Sequence, residues 1–100
     1  MDKNEVLARI GQLRGKANLS ARKLSQAIFR NDSYINGLES KKELPPIETL
    51  LQIIEACDST PSEFFYYSLS AYQQDRAIIE LLRTVSPERK AVVLDVLKVK

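Results

Sequence analysis

The stretch NDSYINGLES, residues 31 to 40, gathers small hydrogen-bonding side chains around only two aliphatic ones, Ile35 and Leu38. Wound as a helix, Asp32, Ser33, Asn36, Gly37 and Ser40 follow one another along the side opposite Ile35 and Leu38. These residue types can read the edges of bases. A carboxamide bonds adenine through two groups at once, a carboxylate accepts from the cytosine amino group, and a hydroxyl serves either. Serine and glycine also keep such a helix slim enough for a groove. A helix this short with two apolar anchors is marginal in water, so its neighbours must hold it and its outer side is left for another use.

No other chemistry competes with this stripe. The chain has no histidine and a single cysteine, Cys57, which removes zinc spacings, Ser/Cys-His pairs and internal disulfides. No acid/base pair and no glycine loop for phosphate is present either. We expect no catalytic site, no metal site and no cofactor, hence not an enzyme. Cys57 closes an apolar run and reads as core.

One hundred residues, 44% hydrophobic and 28% charged, are ordinary for a globular chain with a core. The N-terminus MDKNEVLARI mixes charges with apolar residues, and no apolar run is long enough for a membrane span, so a cytoplasmic protein is expected. The net charge of +2 hides a division along the chain. Residues 1 to 42 carry +5, residues 43 to 75 contain no Lys or Arg and carry −6, and residues 76 to 100 carry +3. A basic first segment is the kind of asymmetry that suits phosphate.

Seven helices are expected to position these groups. Val6, Leu7, Ile10, Leu13 and Ala17 share one face of a first helix ending near Asn18. Ser20 caps a second with Ala21, Leu24 and Ile28 inward, and Asn31 or Asp32 caps the third. Pro45-Pro46 precedes a fourth, where Ile47, Leu50, Leu51 and Ile54 follow the helical period. Thr60-Pro61-Ser62-Glu63 is a capping box with proline at the first helical position, opening a fifth with Phe64 and Phe65. Ile78, Ile79, Leu81, Leu82 and Val85 mark a sixth, and Ser86-Pro87-Glu88 opens a seventh with Val92, Val93, Val96 and Leu97. Nothing alternates with period two, so the fold class is all-α. Domain bounds are set at residues 1–69 and 70–100.

The second and third helices are joined by about three residues, Phe29 to Asn31, which is the helix-turn-helix arrangement; its second helix enters the DNA major groove. SARKLSQAIFRNDSYINGLESKK, followed by LPPIETLLQIIEACDSTPSEFF, resembles the Cro and phage-repressor type of helix-turn-helix domain, the Xre family, over about residues 5 to 67. The resemblance implies a five-helix domain that binds double-stranded operator DNA, commonly as a homodimer on two half-sites, here followed by two additional C-terminal helices. By position it places Asp32, Ser33, Asn36 and Gly37 at bases, Ala21 near the backbone, and Ser40, Lys41 and Lys42 beside phosphates. It assigns Leu24, Ile28, Ile35, Leu38, Leu50 and Ile54 to the core. Arg14, Arg22 and Arg30 are further backbone candidates by charge.

The chain departs from that family where Phe29 replaces the turn glycine, which implies a strained or different turn. Asp32 stands where a base-reading glutamine is common, and is expected to cap the third helix. Asp58 stands for a glycine after the fourth, in a conformation Asp tolerates.

Residues beyond about Ser70 carry more apolar surface than a short appendage hides alone, so they fold back or pair with a second copy. The expected function is a sequence-specific transcriptional regulator, a repressor before an activator. The other reading is an antitoxin-like or adaptor interaction module on the same scaffold, using the acidic middle or the apolar tail. No feature specifies a small-molecule inducer.

Overall fold

Asp2, Ser20, Thr60, Ser68 and Ser86 each accept a hydrogen bond from the backbone N–H three residues on, and a helix opens after each. In the computed structural model, which describes residues 1–99, α1 spans Lys3–Lys16, α2 Ala21–Ala27, α3 Tyr34–Lys41, α4 Ile47–Ala56, α5 Pro61–Phe64, α6 Leu69–Leu82 and α7 Pro87–Lys98. No strand occurs among the described residues, and the protein is all-α. No helix among them is long and apolar enough to cross a membrane. The chain divides into two compact units, Met1–Tyr66 and the segment from Tyr67 onward. Because Ser68 caps α6, the boundary at residue 69 falls inside that helix's first turn.

In the first unit α4 packs against α1, α2 and α5, and α2 packs against α3. Leu7, Ile10, Leu13, Leu24, Ile28, Ile35, Leu38, Leu50, Ile53, Ile54, Cys57 and Phe64 form the core. One expectation for α4 is corrected. Ile47 is 64% exposed and Leu51 45%, because α4 turns Thr49, Leu50, Ile53 and Ile54 inward instead. Burial pushes the Cys57 thiol above its ordinary pKa, against a smaller opposing pull from Arg14, so it stays protonated and unreactive near neutral pH.

A buried arginine and a buried glutamate tie the ends of this unit together. Arg9, on α1, donates to the carbonyl oxygens of Phe64 and Tyr66, the latter at 2.8 Å, and to Gln12. Lys16 donates to Glu63 Oε2 at 2.8 Å while the Ser59 hydroxyl donates to Glu63 Oε1. Such pairs fix geometry more surely than they add stability.

The first four helices end alike. Asn18, Phe29, Lys42 and Asp58 are left-handed, with φ of 58°, 61°, 55° and 56°. The next N–H reaches back five residues at each: Leu19 to Arg14, Arg30 to Ser25, Glu43 to Leu38 and Ser59 to Ile54. Glycine normally fills this position, yet Gly11, Gly15 and Gly37 all lie inside helices. The turn between α2 and α3 therefore keeps its left-handed geometry despite Phe29, at a cost of about 1 to 2 kcal/mol from the β-carbon. Phe29→Gly should raise the free energy of unfolding by roughly 0.5 to 1.5 kcal/mol, after allowing for the greater freedom of glycine in the unfolded chain. A urea midpoint of the monomer that is unchanged or lowered would show that the ring packs within the chain.

In the second unit, no residue of α6 or α7 is buried. Ile78, Leu81, Val92, Leu94, Val96 and Leu97 all stand more than half exposed.

Candidate nucleic-acid interface

One buried hydroxyl links α2 to α3. Ser25 Oγ donates to the Ala21 carbonyl at 2.8 Å and accepts the N–H of Ile35 at 3.0 Å. Ser25 and Ile35 are fully buried, and that N–H belongs to the first turn of α3, which has no intrahelical acceptor. Ser25 thus satisfies a helix end that would otherwise be orphaned. Sequence reading gave Ser25 no role, although a signal existed: it shares the inward arc of α2 with Ala21, Leu24 and Ile28, and is the only polar residue on it.

The start of α3 differs from expectation. Its N-cap position is Ser33, with no side-chain cap of its own, and Tyr34 donates its N–H to the Asn31 carbonyl at 3.1 Å. Asn31 Oδ1 accepts both the N–H and the hydroxyl of Ser33, at 3.1 and 2.9 Å. Asp32 does not cap. Its carboxylate turns back to α2, taking an ion pair from Arg22 Nε at 3.1 Å and a hydrogen bond from Gln26 Nε2 at 3.1 Å. With both oxygens engaged, Asp32 acts first as a brace between α2 and the turn, and Arg22 offsets its negative charge. That pair is exposed, at 71% and 56%, and so is weak.

Asn36, Ser40 and, partly, Gly37 lie on the open side of α3. The Asn36 carboxamide makes no hydrogen bond to the chain among the described residues, and Ser40 makes only a long one of 3.4 Å to the Gly37 carbonyl. A Cβ added at Gly37 would meet nothing within 4 Å, so packing inside the protein gives no reason for glycine there. Asn31, Ser33, Tyr34, Gly37, Leu38, Lys41 and Glu43 line a shallow groove on the flank of α3, which neither Asn36 nor Ser40 enters.

The basic residues separate into two sets. Arg14, expected beside phosphates, is engaged within the chain. Its guanidinium donates to both oxygens of Glu39, at 3.2 and 3.3 Å, and to the Leu19 carbonyl at 3.4 Å, joining α1 to α3. Arg30 is held partly, donating to Thr49 Oγ1 at 3.0 Å and stacking 4.8 Å over the Tyr34 ring. Lys23, Lys41 and Lys42 pair with no carboxylate among the described residues and stand exposed, the last two at the end of α3. Ala21 is half-buried at the start of α2, next to the capping Ser20.

Among the described residues no cluster of His, Cys, Asp or Glu could hold a metal ion. No family model matches the chain, and neither does any curated protein or solved structure.

Proposed function

We propose that the chain is a sequence-specific double-stranded DNA-binding regulator, a phage-repressor-like helix-turn-helix protein that sets α3 into the major groove as part of a homodimer. One observation carries the reading: the outward side of α3 presents Asn36, Gly37 and Ser40, which neither the core nor any ion pair uses. The diameter of an α-helix, about 10 to 12 Å, matches the roughly 12 Å width of the major groove. Asn36 reads a base, Gly37 permits close approach, and Ser33 at the turn supplies a second polar contact. Lys41, Lys42, Lys23 and the Arg22 released from Asp32 anchor phosphates on either side.

A protein seated on its operator in this way excludes others, which makes repression the simpler outcome and the cytoplasm its place of work. The bare apolar faces of α6 and α7 support a second copy, which would set two α3 helices about one DNA turn apart. The same bare faces favour the second reading, an interaction module without DNA, and salt-dependent affinity for duplexes separates the two. Selecting bound duplexes from a random pool tests the proposal directly: recovery of a common motif in paired half-sites is expected, and a pool that stays random overturns it.

Gly37→Ala gives a sharper check because stability and binding should move in opposite senses. The fold should gain about 0.5 to 1 kcal/mol from the better helix former, since the new methyl group has open space. Affinity for the selected duplex should fall, because that methyl would stand between the helix and the groove floor. A variant that is stabilised and binds as well as the parent would remove Gly37 from the interface.

A further inference from the structure

Phe29 is 95% exposed and fixed outward by the left-handed turn, although neither core packing nor backbone preference asks for a large ring there. It forms one wall of a cleft of about 420 Å³, lined otherwise by Ala27, Ile28, Gln52, Glu55 and Ala56. The charge beside this cleft is mainly negative, the neighbouring Arg30 being taken up by Thr49 Oγ1 and the Tyr34 ring. Glu48 and Glu55 share the face of α4 that carries Gln52, Asp58 follows at its end, and none of these carboxylates makes an ion pair among the described residues. Phosphate is repelled from such a surface. What fits it is an apolar side chain flanked by lysine and arginine.

The chain itself contains a segment with that chemistry. On α7, Val92, Val93, Val96 and Leu97 are 37% to 73% exposed, and Arg89, Lys90 and Lys98 make no ion pair among the described residues. Glu48, Glu55 and Asp58 beside the cleft are then opposite in sign to α7, which keeps +1 after Glu88 and Asp95 are counted against Arg89, Lys90 and Lys98. We propose that α7 of a second copy seats its valine and leucine side chains in the Phe29 cleft, with Arg89, Lys90 and Lys98 facing Glu48, Glu55 and Asp58, and that the two copies exchange α7 reciprocally about a twofold axis. This rests on the homodimer reading above and adds where the second copy lands. It also gives Phe29 a reason to occupy a position that glycine would fill more cheaply.

Sedimentation equilibrium of the full chain tests it. Wild type should be dimeric at micromolar concentration, with a dissociation constant that rises with salt. Phe29→Gly removes the anchor while relieving the backbone, so the dissociation constant should rise about tenfold or more as the monomer becomes more stable to urea. Glu55→Lys and Val96→Asp should weaken the dimer from opposite sides of the contact. Mixing Phe29→Gly with Val96→Asp should then yield more dimer than either alone, because the intact α7 of one copy meets the intact cleft of the other. A wild type that is monomeric throughout overturns the homodimer reading together with this one. A dimer insensitive to Phe29→Gly and Glu55→Lys, or a mixture no more dimeric than its components, overturns the cleft assignment alone.

Discussion

Ser25→Ala should lower the free energy of unfolding by about 1 to 3 kcal/mol, a large effect for the loss of one oxygen atom. The Ile35 N–H is buried at the start of α3, and the Ser25 hydroxyl 3.0 Å away is its acceptor. Alanine leaves that donor desolvated and unpaired, which is the expensive way to lose a hydrogen bond. Ser25→Val should do more harm, because two methyl groups must also enter a site with no exposed surface. Ser25→Cys should fall nearest the parent, since sulfur is a weak acceptor of suitable size. Urea denaturation gives the ranking. Hydrogen exchange at the Ile35 amide should quicken out of proportion to the global change, because the bond closes the first turn of α3 specifically. If Ser25→Ala unfolds within a few tenths of a kcal/mol of the parent, the hydroxyl does not hold the helix pair and α3 must be kept in place by the packing of Ile35 and Leu38 and by the Arg14–Glu39 pair.

Ser25 also shows what could and could not be read from the sequence. Helix starts were legible because a cap is a local matter: Ser20, Thr60 and Ser86 act on an N–H three residues away, and the code for that is short. The inward stripe of α3, Ile35 and Leu38, was legible for the same reason. Partnerships across the fold were not. Arg14 looks like any surface cation until α1 and α3 bring Glu39 within 3.2 Å of it. Asp32 satisfied the composition rule for a cap but sits one residue too early, since Asn31 folds its own side chain over Ser33 and moves the helix start to Tyr34. On α4 the period was right and the phase was shifted, because Ile47 and Leu51 fit the same spacing as Leu50 and Ile54 with no local signal to choose between them. The outward set Asn36, Gly37 and Ser40 was legible by exclusion: small polar residues on a short helix that needs its other side for the core.

Asn36→Ala and Lys41→Ala should separate reading from anchoring at the proposed interface. Asn36 is exposed on α3 with a carboxamide that makes no hydrogen bond among the described residues, so alanine takes nothing from the fold there and slightly favours the helix. Against the selected duplex, however, it should weaken binding by about 1 to 3 kcal/mol, because a bidentate contact is lost and the base edge it served is left unpaired. Binding to unrelated duplexes, which depends on phosphate, should hardly change. Lys41→Ala should do the reverse. Its ammonium pairs with no carboxylate among the described residues at the end of α3, and removing it should weaken all duplexes alike and lower the slope of log affinity against log salt by about 1. The discriminating quantity is the ratio of specific to non-specific affinity, measured for each variant across a salt series. It should fall steeply for Asn36→Ala and stay level for Lys41→Ala. Parallel losses on every sequence for both variants would leave α3 as a charged surface with no reading function, and with it the assignment of this helix to the major groove would fail.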